Sequence, residues 1–340
     1  MNRKELVATL NNVSAALASS DIIPIYKCFA FGGSTVMAYN DIVGIVAPCV
    51  TNEQFVVDGK TLLGLLGHSH AESIEIKLEK DEAVIKATRS TFRLPIFQLS
   101  DFIFEEPRGE WVTIPINQDF LDGLQACLMT SSRDAAQPAL LGVSLSSSGI
   151  LYSSDSDAIS EYKLDDKTAG NEPFMLPNDF CDALLSICND MNVTEGALNL
   201  NSEWSQAVLK NGYTVYGRMI ENENPLDFAG QIKQTIKGEL DFVEAPKGIS
   251  NALSRARVLA DPESAKTTVT VENGRIKLVT TTSMGIVRDT LAIEDHEDVE
   301  ANVSAALMQR SLALCDFLAI REDYCAFKSD KLFILTGNME

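Results

Sequence analysis

One unit is written six times along this chain. In each copy a stretch with helical apolar spacing is followed by alternating, strand-like runs separated by turn residues. The first copy puts Leu6, Leu10, Val13 and Leu17 on one helical face, then strand-like runs at 28–32, 35–39 and 43–49. The second has Leu62, Leu63, Leu65 and Leu66, then runs at 73–78, 83–87 and 92–97. The third and fourth carry Leu121, Leu124, Leu128 and Phe180, Leu184, Ile187 before strand-like runs at 140–164 and 197–219. The fifth has Ile249, Leu253, Ala256 and Ala260, with runs at 267–272, 276–280 and 287–293. The sixth carries Leu307, Leu314 and Leu318 and closes with runs at 324–328 and 332–335. Any α+β chain alternates helices and strands. Six copies in register, with Pro115, Pro177 and Pro246 at similar places, constrain the fold much further.

Polar breaks at 105–109 and 221–225, the second continuing to 237–239, divide the copies into pairs. The expectation is an α+β protein of three repeated domains, each of two β-α-β-β-β units: 1–107, 108–236 and 237–340.

The formal charge of −20 weighs against a simple basic DNA-binding protein. Its distribution alters that. Six helical windows (2–18, 59–70, 118–133, 177–192, 245–260 and 304–314) sum to +2, and the rest of the chain to −22. The partition is uneven. Window 245–260 holds Lys247, Arg255 and Arg257 and no acid, whereas 177–192 holds Asp179, Asp182 and Asp190 and no base. Isolated charges of this kind are ordinarily a solvated helix face. Near-neutral helices in an acidic body suit a surface that meets a polyanion while the remainder repels it.

Seven scattered cysteines (Cys28, Cys49, Cys127, Cys181, Cys188, Cys315, Cys325) without CxxC spacing point to neither a disulfide framework nor a zinc site, and to a reducing cytoplasm. Residues 1–5 run straight into an amphipathic pattern, with no signal-peptide core and no apolar run of about 18 residues, so no membrane is expected. The sequons at Asn12, Asn192 and Asn302 are chance matches in such a chain.

Several short motifs, weak singly, acquire weight from their order. They are Leu6-x3-Leu10-x2-Val13-Ser14 with Ile23-Pro24-Ile25, and Arg89-Ser90-x-Phe92-x-Leu94 with Ser100-Asp101-Phe102. Ile114-Pro115 with Phe120-Leu121, Leu140-Leu141-Gly142-Val143, and Ser154-Asp155 before Ile159 follow. Over essentially its full length the chain resembles the bacterial-type beta sliding clamp, the processivity factor of DNA polymerase III.

That resemblance implies the DNA-clamp (processivity) fold, in which helices line a ring and sheets lie outside. It implies a head-to-tail homodimer around double-stranded DNA, a replicative DNA polymerase and a clamp-loader ATPase as partners, no cofactor or metal, and no catalysis. Residue by residue, the DNA-lining candidates are Lys4, Arg133, Lys233, Lys237, Lys247, Arg255, Arg257 and Arg310. Lys247, Arg255 and Arg257 are expected on the first helix of domain three. The partner-peptide pocket would involve Leu140, Ser154, Ile159, Pro225, Ile232 and Leu335, and the dimer seam Phe92 and Leu94 against Val258 and Leu259.

On that resemblance, several departures imply a divergent clamp. Ser19-Ser20-Asp21 stands where the family often has a basic loop residue, and Asn178-Asp179 where a Lys or Arg is expected. Ser156-Asp157-Ala158-Ile159 replaces the family's Gly-His-Arg-Leu run, and the tail ends Leu335-Thr336-Gly337-Asn338-Met339-Glu340.

Two other classes compete. One is a clamp-fold protein scaffold that does not encircle DNA, for which the acidic fourth helix speaks. The other is a cytosolic enzyme. For the enzyme, His68-Ser69-His70 lacks ligands to complete a metal shell, and Asp58-Gly59-Lys60-Thr61 lacks the first glycine of a phosphate loop, with Gln54 in its place. His296 lies in an acidic loop, and the pairs Asp155/Asp157 and Asp165/Asp166 are ordinary loop acids in so acidic a chain.

Overall fold

The computed structural model describes residues 1–339 except 21, 166–172, 221–225, 260–265 and 295. The first elements are α1 (Arg3–Val13), β1 (Cys28–Gly32), β2 (Thr35–Tyr39), β3 (Val43–Pro48), β4 (Gln54–Asp58) and α2 (Gly59–His68). After them come β5 (Glu75–Glu79), β6 (Glu82–Lys86), β7 (Thr91–Pro95), β8 (Val112–Ile116) and α3 (Gln118–Leu128). The middle of the chain forms β9 (Gly142–Leu145), β10 (Ile150–Ser154), β11 (Ala158–Lys163), β12 (Phe174–Pro177), α4 (Asn178–Met191), β13 (Gly196–Leu200), β14 (Trp204–Leu209) and β15 (Thr214–Arg218). Then α5 (Phe228–Thr235), β16 (Val243–Glu244), α6 (Ile249–Leu259), β17 (Lys266–Glu272), β18 (Arg275–Thr282) and β19 (Gly285–Ala292) follow. The last are β20 (Val299–Ser304), α7 (Ala305–Leu312), β21 (Phe317–Ile320), β22 (Tyr324–Lys328) and β23 (Leu332–Gly337).

Local chemistry starts these helices. The Asn2 side chain accepts from the N–H groups of Lys4 and Glu5 to cap α1, and Asp227 and Ser304 cap α5 and α7 in the same way. Asp58 accepts from Thr61 N–H at 2.8 Å, so the segment 58–61 is a helix start and not a phosphate loop. The apolar faces read from the sequence are inside: Leu6, Leu10 and Val13 of α1, Phe180, Leu184 and Ile187 of α4, and Ile249, Leu253 and Ala256 of α6 are buried.

Contacts gather the chain into two compact units, Met1–Leu121 with Phe174–Glu221, and Asp122–Pro173 with Asn222–Glu340. In the first, a sheet ordered β4-β1-β2-β3-β15-β14-β13-β8 joins strands of the first and fourth sequence copies through antiparallel β3 and β15, with Ile45 opposite Val215. A second sheet is β5-β6-β7. In the other unit, β9-β10-β11-β23-β22-β21-β16 repeats the larger order, with β11 and β23 antiparallel and Ile159 opposite Leu335. Its second sheet is β19-β18-β17-β20. The expected three domains divide the chain by repeat, whereas these units divide it by contact.

Two differences from the sequence reading stand out. The sixth helix is short. It buries Ala305, Met308 and Ser311, whereas Leu314 lies beyond its end and Leu318 belongs to β21. Its capping residue Ala313 and the turn at Cys315 end it before the expected face is complete. Conversely, α5 forms inside the stretch read as a polar connection, because Asp227 caps it and Phe228 and Ile232, one turn apart, are both buried.

Candidate functional site

The cations proposed to face DNA all lie on exposed or half-exposed positions, yet they differ in what they touch. Arg255, on α6, grips Asp289 with two guanidinium nitrogens, at 2.6 and 3.2 Å. Arg257 donates to the Gln309 side-chain oxygen at 2.7 Å, and Lys237 pairs with Asp323 at 3.3 Å. Arg310, on α7, donates to Asp155 at 2.8 Å. Lys4, Lys233 and Lys247 are exposed and carry no ion pair among the described residues. Lys247 precedes α6 instead of lying on it, because Pro246 and Gly248, the latter at φ +88°, form the turn that delays the helix to Ile249. Arg133 is exposed on the segment leaving α3.

Of the proposed pocket residues, Leu140, Ile159 and Ile232 come together where β10, β11 and α5 meet. Tyr152, Phe228 and Ile232 are buried together, with Leu140, Ile150, Ile159, Leu226 and Phe333 half-buried against them. The rings of Tyr152 and Phe228 stack at 5.8 Å. Desolvation, aided by the neighbouring Glu161 carboxylate, pushes the Tyr152 hydroxyl up to about 12. Ser154 lies opposite Ile159 in the β10–β11 ladder. Leu335, opposite Ile159, turns its side chain into a neighbouring buried cluster with Ala319, Tyr324 and Ala326. Pro225 lies outside the described residues. The residues missed by sequence reasoning are Tyr152, Phe228 and Phe333. Phe228 alone carried a signal, the i, i+4 spacing to Ile232.

Segment 130–140 is tied to this sheet by buried hydroxyls. The Thr130 hydroxyl lies 2.6 Å from those of both Ser153 and Ser160, and Ser153 donates to the Cys127 carbonyl at 2.5 Å. Ser132 N–H reaches the carbonyls of Ser154 and Leu140 at 3.0 and 3.1 Å. Arg133 and Leu140 are thereby held at opposite ends of one anchored loop.

At the proposed seam, β7 is the edge of its sheet, with Phe92 half-buried and Leu94 7% exposed and packed inward. Leu94 therefore serves the core beneath the edge. In the other unit β19 is also an edge strand, and Val258, Met284 and Ile286 are 77, 72 and 53% exposed. Gly285 brings the β18–β19 turn beside Leu259. Met284 and Ile286 add to the apolar surface expected from Val258 and Leu259 alone.

The enzyme candidates do not assemble. His68 and His70 are exposed at the end of α2, and no group of metal-binding side chains is found among the described residues. His296 plays a structural part, since its Nε2 accepts from Ile320 N–H at 3.0 Å and its Nδ1 lies 2.7 Å from the Glu297 carbonyl. No helix among the described residues is long and apolar enough to cross a membrane.

The fold with this repeated antiparallel sheet order is that of solved sliding clamps. The full chain superposes on the DNA polymerase III beta subunit of Thermotoga maritima with a TM-score of 0.87 at 17% identity, covering 100% of this chain and 98% of that one. The sliding clamp of Pseudomonas aeruginosa gives 0.86 at 16%, and the beta chain of Streptococcus pneumoniae 0.86 at 13%, each with coverage of 100% and 98%. No family model and no curated protein matches the sequence. At such identities the likeness is one of fold.

Proposed function

We propose that the chain is a DNA sliding clamp: three clamp domains per subunit, two subunits head to tail, enclosing duplex DNA and tethering a replicative polymerase after loading by an ATPase. The observation that carries this reading is a fold shared over the whole chain with proteins described as DNA polymerase III beta subunits and sliding clamps. Tethering makes and breaks no covalent bond, so the reading needs neither a catalytic group nor a cofactor.

Enclosure also accounts for the charge. A clamp has to slide, so tight binding and base readout would both hold it back, whereas phosphate contacts carry no sequence information. Lys4, Lys233 and Lys247 are the cations best placed to meet phosphate, and Arg133 and Arg257 are exposed as well. The cluster around Tyr152, Ile159 and Ile232 would take a short apolar motif of the polymerase or loader. The seam would pair the β7 edge of one subunit with the β19 edge of the other, as unpaired edge strands favour, with Phe92 against Val258, Leu259 and Ile286.

Sedimentation at micromolar concentration tests the architecture. The unaltered chain is expected at twice 37.1 kDa, and Ile286→Asp, which puts a carboxylate in the seam, at 37.1 kDa with unchanged circular dichroism. A strictly monomeric unaltered chain would sink the ring.

A further inference from the structure

Among the described residues, one turn with a left-handed second residue occurs twice, with a single chemical change. Between β2 and β3, the Asn40 side-chain oxygen accepts from Ile42 N–H at 3.0 Å and Val43 N–H at 2.8 Å. Between β10 and β11, one carboxylate oxygen of Asp155 accepts from Asp157 N–H at 3.3 Å and Ala158 N–H at 2.9 Å. Each backbone turn is closed alike, Asn40 N–H to the Val43 carbonyl and Asp155 N–H to the Ala158 carbonyl, at 3.1 and 3.2 Å. Each is followed by a left-handed residue, Asp41 at φ 78° and Ser156 at φ 77°. The amide of Asn40 thus builds the turn by itself. A carboxylate at position 155 is not needed to form the turn, and its second oxygen takes the Arg310 guanidinium at 2.8 Å. Both side chains are largely shielded, Arg310 at 32% and Asp155 at 21% exposure.

The turn leads directly into the apolar cluster. Ser154 and Ile159 flank it, Ile159 packs with Tyr152, Phe228 and Ile232, and Ser156 donates to Gln137 at 2.9 Å. Arg310 comes from α7, a helix that sequence reading assigned to DNA. We infer that Arg310 is a positioning residue of the apolar pocket and not a phosphate contact: through Asp155 it braces the 154–159 turn that shapes the pocket's rim. Its significance for partner binding rests on the clamp reading, but the brace itself does not.

The test uses the full chain and the variants Arg310→Gln, Arg310→Lys, Asp155→Asn and the Gln/Asn double variant. Asp155→Asn retains the turn's own hydrogen bonds, as Asn40 does, and removes only the charge. Amide hydrogen exchange without any ligand is expected to quicken at least fivefold for residues 157–159 in Arg310→Gln and in Asp155→Asn, no further in the double variant, and to return within about twofold in Arg310→Lys. Exchange unchanged in both single variants, or additive effects in the double one, would overturn the brace. For a 30-base-pair duplex, the slope of log affinity against log salt should be the same for Arg310→Gln as for the unaltered chain. A slope shallower by about 0.9 would instead make Arg310 a phosphate contact. Griselimycin, the ligand of a P. aeruginosa clamp, serves as pocket probe, with tenfold weaker binding expected in Arg310→Gln. An unaltered chain that does not bind it would count against the pocket reading and leave the exchange result to decide the brace.

Discussion

Every cysteine in this chain is buried, and burial raises six of the seven thiols far above their ordinary value of 9.0. Cys28, Cys49 and Cys188 are pushed up to about 11, and Cys127, Cys315 and Cys325 to about 12, in each case chiefly by desolvation of the thiolate. Between pH 9 and 12 the unfolded chain therefore binds fewer protons than the folded one, and stability falls as pH rises. Well below pH 9 these groups are protonated in both states and do not alter stability. Denaturant titrations should show nearly constant stability from this source between pH 6 and about 7.5, and a loss that steepens above about pH 9. A thiol reagent at pH 8 should label the native chain negligibly and the unfolded chain fully. Rapid labelling at pH 8 would contradict the burial.

At the scale of elements, helices come close to sheets through missing side chains. A methyl group on Gly217 of β15 would lie 2.6 Å from Phe180 Cβ of α4 and 2.7 Å from the Ser205 hydroxyl. On Gly123 of α3 it would lie 2.5 Å from the Tyr162 ring. Replacing Gly217 with Ala should therefore destabilise the fold by about 3 kcal/mol, the upper end of overpacking costs, as measured by urea denaturation. A loss below about 0.5 kcal/mol would show that α4 can move away freely. Much at this scale was legible in advance. The buried faces of α1, α4 and α6 follow from period-3.6 spacing, and the turns from Gly and Asp chemistry. What escaped was decided by partners distant in sequence. Arg310 reads as one more helix cation because Asp155, which holds it, is 155 residues away. Tyr152 reads as an ordinary strand residue until α5 lays Phe228 on it. Leu94 reads as seam because alternation along β7 does not reveal which face its own sheet covers.

For the whole molecule, a chain of net charge −20 shares its fold with proteins described as DNA polymerase III beta subunits and sliding clamps. Several of its helix cations are spent internally, on Asp289, Asp155 and Gln309. On the proposed reading, affinity for phosphate would thus be kept low, and retention on DNA would have to come from closure of a ring. Direct binding and enclosure differ sharply in their response to salt, since phosphate contacts weaken as counterions compete while a closed ring does not open. The deciding measurement is retention on a nicked circular duplex, compared with the same DNA linearised, after the subunits have been dissociated by dilution and reassembled in its presence. Enclosure predicts that protein stays with the circle through a 0.5 M salt wash and is lost once the DNA is cut. Lys4→Glu, Lys233→Glu and Lys247→Glu together should lower the amount loaded while leaving what is loaded resistant to the wash. Equal loss from circle and line in high salt would contradict enclosure and leave a clamp-fold scaffold that does not encircle DNA.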